Sequence, residues 1–135
     1  MKKLSLLYAF LFVAAFVSCK DEDEDPTFKK SDFLGKWEET ASTPPDDESE
    51  TCTTSKEEIE ITDDDIKVTS TCDGFSGSID YPYTFDNKRT LTVTITILTE
   101  TITMKTKILE LSGTTMKVEN YYNGTKAETV TYKKV

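Results

Sequence analysis

From residue 56 to the C-terminus, apolar side chains fall on alternate positions, and this period of two constrains the fold more than any other feature. Leu91, Val93, Ile95 and Ile97 alternate with threonines in the clearest run. Successive side chains of a strand point to opposite faces, so such a run has one apolar face and one polar face. A helix would need a period of about 3.6 to build an apolar stripe. No segment after Cys19 has one. Ile59 with Ile61, Ile66 with Val68, Ile102 with Met104, Met116 with Val118, and Val130 with Tyr132 repeat the strand pattern. Ile79, Tyr81, Tyr83 and Phe85 repeat it through Pro82.

Turn residues punctuate these runs. Thr62-Asp63-Asp64-Asp65, Asp73-Gly74, Asp86-Asn87-Lys88-Arg89, Thr99-Glu100 and Ser112-Gly113-Thr114 each separate two of them. Asn123-Gly124 is the strongest hairpin signal, because both residues tolerate the positive φ of a type I′ turn. Pro82 cannot donate to a ladder, so its strand lies at an edge or is bulged there. The step from Ile108 to Leu111 breaks the period of two and predicts a bulge or a strand end. Pro44-Pro45-Asp46-Asp47 keeps 42–55 a loop. The segments predict eight strands, near 35–41, 56–61, 66–71, 78–85, 90–98, 101–110, 115–122 and 125–134. Short connections make neighbours antiparallel. The fold class is all-β, and an eight-stranded up-and-down barrel removes exposed edges by closure. An open Greek-key β-sandwich fits the same strand count.

The N-terminus reads differently. Lys2-Lys3 is followed by Leu4 to Val17, fourteen residues apolar apart from Ser5. That is too short for a bilayer-spanning helix and suits the apolar region of a signal peptide. Ser18-Cys19 ends it and resembles the lipobox of bacterial lipoproteins, with Phe16 where Leu, Val or Ile is usual. The resemblance implies cleavage before Cys19 and lipid attachment to it. Each buried methylene contributes about 0.8 kcal/mol, and two or more chains anchor stably. Lys20-Asp21-Glu22 resembles the signal that follows the lipidated cysteine in surface-exposed lipoproteins of the Bacteroidota. It implies a lipid-anchored protein of the outer membrane at the cell surface, the alternative being a periplasm-facing anchor. Residues 1–18 are then the leader, 19–30 an acidic tether ended as a helix candidate by Pro26, and 31–135 the folded domain.

Removing residues 1–18 takes away Lys2 and Lys3 and no acid, so the net charge moves from −9 to −11. That excess opposes binding to nucleic acid and anionic lipid. A domain of roughly a hundred residues buries only about 60–70% of its unfolded surface, so a covalent staple helps. With Cys19 assigned to lipid, Cys52 and Cys72 remain as a pair, which in an exported protein reads as a disulfide. If Ile61 faces Ile66, regular pairing puts Cys72 opposite Ser55, and the loop before Ser55 must bring Cys52 back.

The chain has no histidine. That removes Ser-His-Asp and Cys-His machinery and the common zinc sets. Asp63-Asp64-Asp65 lacks the spacing of an EF-hand and reads as a turn. Glu57, Glu58 and Glu60 flank apolar positions and read as a water-facing surface. No phosphate-binding loop or dinucleotide fingerprint is present. The expectation is a protein without catalytic activity, cofactor or metal.

Further motifs resemble lipocalin-like domains of Bacteroidota lipoproteins over Phe33 to Val135. They are the Leu34-Gly35-Lys36-Trp37 opening, the cysteine pair flanking a hairpin, Tyr83-Thr84-Phe85-Asp86-Asn87, Ile108 to Leu111 before Ser112-Gly113-Thr114, and the Thr-x-Thr-Tyr-Lys-Lys end. The resemblance implies an eight-stranded antiparallel barrel and no particular ligand. Trp37, Tyr81, Tyr83, Phe85, Val93, Ile95, Met104, Met116, Val118 and Tyr132 are expected to face inward. They either line a cavity for a small apolar ligand or fill a small barrel. The other expectation is an interaction or accessory subunit at the outer membrane, contacting its protein partner through the 44–50 loop and Tyr121-Tyr122.

Overall fold

The computed structural model describes residues 25–44 and 52–135. The expected leader, Cys19 with the start of the expected tether, and residues 45–50 of the expected contact loop lie outside the described residues. A single helical turn, α1 (Lys30–Phe33), precedes nine strands: β1 (Gly35–Thr43), β2 (Ser55–Ile61), β3 (Asp65–Cys72), β4 (Phe75–Pro82), β5 (Thr84–Phe85), β6 (Thr90–Ile97), β7 (Glu100–Leu111), β8 (Thr115–Tyr122) and β9 (Thr125–Lys134). They form one antiparallel sheet in the order β4-β3-β2-β1-β9-β8-β7-β6-β5. Every sequential pair is a hairpin neighbour except β4 and β5, and β1 also pairs with β9. The result is a nearly closed up-and-down barrel rather than an open sandwich.

Register follows from the alternation. Ile59 pairs with Val68 and Ile61 with Ile66. Val68 pairs with Ile79 and Ile66 with Tyr81. Val93 pairs with Met104, Ile108 with Val118, and Val118 with Val130. Directly opposed residues share a face, so these apolar columns share the inner face, with Ile79 left exposed at the edge of the sheet. A one-residue slip at any ladder would turn a column outward. The break in period after Ile108 is a bulge against β8, between Ile108 and Glu110. Asn123 and Gly124 both have positive φ, 47° and 85°, as do Asp73 and Gly74. These two-residue turns match the twist of their hairpins.

Nine strands stand where the alternation predicts eight, because the segment around Pro82 divides. Residues 75–82 pair with β3. Pro82 then ends the ladder, and the Tyr83 amide donates to the Asp64 carbonyl at 3.1 Å. Thr84 and Phe85 cross over to pair with Thr92 and Leu91 of β6. The chain itself thus bridges the two edges of the sheet at one end of the barrel. Towards the other end, β4 and the part of β6 beyond Thr92 have no strand between them among the described residues, and a slot opens.

The bridged end is plugged. Phe33, carried in by α1, and Trp37 are both fully buried. The Trp37 indole N–H donates to the Phe33 carbonyl at 2.9 Å, which satisfies its one polar atom. Phe85 meets Phe33 edge-on at 4.9 Å between ring centres. Gly35 has φ +120°, and a Cβ there would stand 3.3 Å from Cε of Lys134, whose ammonium lies over the Trp37 ring. Glycine is therefore required at the point where the chain enters the barrel. Leu91, Ile108, Met116, Val118 and Val130 are almost fully buried above the plug, and Ile59, Ile61, Val93 and Tyr132 complete the buried core.

Candidate functional site

Above that core the barrel is not filled. A cavity of about 240 Å³ lies between the strands. Its floor is formed by Ile61, Ile66, Leu91, Ile108, Met116 and Tyr132, and its apolar walls by Ile59, Val68, Val93, Met104 and Val118. The volume is just below the roughly 300–1,000 Å³ typical of ligand pockets, so it suits a small ligand.

The upper wall is polar. Thr106 pairs with Asn120 across β7 and β8, and Asn120 with Glu128 across β8 and β9. Their side chains form one chain of hydrogen bonds. The Thr106 hydroxyl donates to Asn120 Oδ1 at 2.8 Å, and Asn120 Nδ2 donates to Glu128 Oε1 at 2.9 Å. Such a rung holds the carboxylate in a fixed place. Glu57 lines the cavity from β2, and Tyr81 and Tyr122 from β4 and β8. Burial pushes the Tyr122 phenol above its ordinary pKa, and the nearby charges of Glu128 and Glu57 push it in the same direction. One phenol therefore feels both carboxylates.

Glu57 corrects the reading of 57, 58 and 60 as a single water-facing surface. It has the parity of Ile59 and Ile61 and joins the interior. Glu58 and Glu60 have the opposite parity, and Glu58 pairs with Lys56 at 2.7 Å. Lys56 also lies 3.4 Å from Glu38, so it bridges two carboxylates directly opposed across β1 and β2.

Of the residues expected to face inward, Tyr81, Val93, Met104, Met116, Val118 and Tyr132 line the cavity. Trp37, Tyr83 and Phe85 belong instead to the plugged end, and Ile95 lies half-buried beside the slot. Tyr83 donates its hydroxyl to the Thr62 carbonyl at 2.7 Å, which holds the ring against the β2–β3 turn. Tyr121 and Tyr122 part company at a bulge between Asn120 and Tyr121. Tyr121 also borders the cavity but donates its hydroxyl to Glu119 at 2.7 Å, whereas Tyr122 sits at the mouth. The polar lining residues Thr106, Asn120 and Glu128 were not anticipated. Their parity with Ile108, Val118 and Val130 was the available signal.

Cys52 and Cys72 form a disulfide at the mouth end, with Cα atoms 5.6 Å apart. Ser55 does face Cys72 in the β2–β3 ladder. The gap back to Cys52 is closed by Asp73, whose carboxylate accepts the Thr53 amide at 3.1 Å and the Thr54 amide at 2.8 Å. Those two backbone donors lower the Asp73 pKa. Cys52, Cys72 and Asp73 bring ligand-type atoms within 4.8 Å of one another. The sulfurs are bonded to each other and the carboxylate is committed to the loop, so the cluster is a structural corner.

No protein-family model matches the chain, and no curated protein matches it.

Proposed function

We propose that this chain is a lipid-anchored lipoprotein of the outer membrane, displayed at the cell surface, whose barrel binds a small apolar ligand without catalysis. The observation that carries the binding part is the cavity of about 240 Å³ with an apolar floor beneath a few convergent polar groups. The anchoring part rests on Lys2-Lys3, the apolar run to Val17 and Ser18-Cys19. The finer family assignment, a lipocalin-like domain lipoprotein of the Bacteroidota, agrees with the barrel and rests on the sequence motifs.

Binding is tested by titrating an uncharged apolar fluorophore into the full chain in nanodiscs, against empty nanodiscs. Met104 is half-buried on the cavity wall, so Met104→Trp fills the space with little disturbance of the core below. The wild type is expected to bind saturably and Met104→Trp to lose that binding. Equal signals from the two proteins and the blank would end the ligand reading. Anchoring is tested by Cys19→Ser, which should move the protein out of the membrane fraction and block loss of the leader.

A second reading is an interaction subunit at the same membrane. Phe75 and Ile79 on β4, with Ile97 and Leu98 at the β6–β7 turn, are exposed large apolar side chains on the two sides of the slot. Such residues suit a protein partner as well as a ligand entrance.

A further inference from the structure

We infer that the ligand is a small organic cation, with an apolar body on the cavity floor and a protonated amine at the rim between Glu57, Glu128 and the rings of Tyr81 and Tyr122. This rests on the ligand-binding reading proposed above and gives it a charge.

The cavity supplies both halves of that chemistry. Ile59, Val68, Val93 and Val118 can cover an apolar group of one ring or a short chain. Two carboxylates line the same space. Glu128 is held by Asn120, which uses one hydrogen bond on Oε1. An ionised carboxylate accepts at about four lone-pair sites, so the group keeps capacity for an ammonium N–H. A charge-assisted bond of this kind is stronger than a neutral one, and a low-dielectric wall strengthens it further. Tyrosine faces within about 6 Å add cation–π attraction.

The same geometry rejects anions. Lys105 is the one cation among the lining residues. It alternates with the inward Met104 and Thr106 and is exposed, at the edge of the cavity and not within it. A carboxylate ligand would meet the like charges of Glu57 and Glu128 at the rim, inside a chain of net charge −9.

The test uses three probes that share one body: phenethylamine, phenethyl alcohol and phenylacetate. Each is titrated by calorimetry into the full chain in uncharged nanodiscs at neutral pH. Phenethylamine is expected to bind at least about tenfold more tightly than the alcohol, and phenylacetate most weakly. Glu128→Gln keeps a carbonyl acceptor for Asn120 Nδ2, and Glu57→Gln removes the other charge. Each variant should reduce the preference for the amine over the alcohol. If the alcohol or phenylacetate binds as well as the amine, the cationic assignment is wrong and the ligand-binding reading stands. A preference that survives in both variants also overturns it, because general surface charge would then be the cause. If none of the three binds, the ligand-binding reading falls as well.

Discussion

Tyr83 shows how one side chain can be well read in type and misread in place. Its position in the Ile79 to Phe85 alternation marks it as apolar-facing. The hydroxyl, however, needs a partner when buried, and the Thr62 carbonyl supplies one at the plugged end rather than at the cavity. Burial pushes this phenol up to about 12, helped by the charges of Asp63 and Asp64. The unfolded chain ionises near the ordinary value of 10.0. Between these values the folded state holds the extra proton, so stability falls as pH rises. The contribution is complete below about pH 10 and is lost as pH passes about 12. Denaturation midpoints followed across that window should drop for the wild type and drop less for Tyr83→Phe. An identical decline in both would show that Tyr83 is not the group responsible. Glu57 carries the converse lesson. Its charge suggests water and its parity with Ile59 and Ile61 suggests the interior, and parity wins because a slip would expose both isoleucines.

At the scale of elements, the strands were legible because each carries its own period and its own turn signals. The β2–β3 hairpin can be derived down to the pairing of Ser55 with Cys72. What local pattern does not carry is partnership. Pro82 announces that a ladder must stop, but not that the chain leaves β3 and joins β6, since that depends on residues arriving from elsewhere. Nor does it reveal that Asp73 gathers the Thr53 and Thr54 amides to bring Cys52 into reach. The disulfide closes a segment of sequence separation 20. The chain-entropy estimate for a loop of that size is about 3 kcal/mol. Replacing Cys52 and Cys72 together with alanine should reduce unfolding free energy in urea by about that amount. A loss under roughly 1 kcal/mol would mean that Asp73 and the β2–β3 ladder restrain the loop unaided.

For the whole molecule, closure is the least local feature. It joins β1 to β9, with Glu38 opposite Lys133 and Trp37 opposite Lys134. Alternation argues that edges must be covered, and only the assembled twist says where the cover fails. Here the failure is the slot between β4 and β6. The cavity belongs to that same level, since it is the space left when no single strand lacks a side chain.

The docking of the N-terminal run has a geometric consequence. The Phe28 amide donates to the Lys88 carbonyl at 2.7 Å, and Asp25 pairs with Arg89, so the chain leaves the domain at its plugged end. Six steps of chain join Asp25 to Cys19, a reach of at most about 20 Å. Under the proposed anchoring, the barrel stands on its plug like a cup on a short stem, with its rim roughly 20 Å further out. Ligand would then be gathered from the surroundings and not drawn from the bilayer beneath. A spin label at Asn87 should therefore relax more strongly with paramagnetic headgroup lipids than one at Leu98. Equal relaxation at both sites would mean that the cup lies on its side.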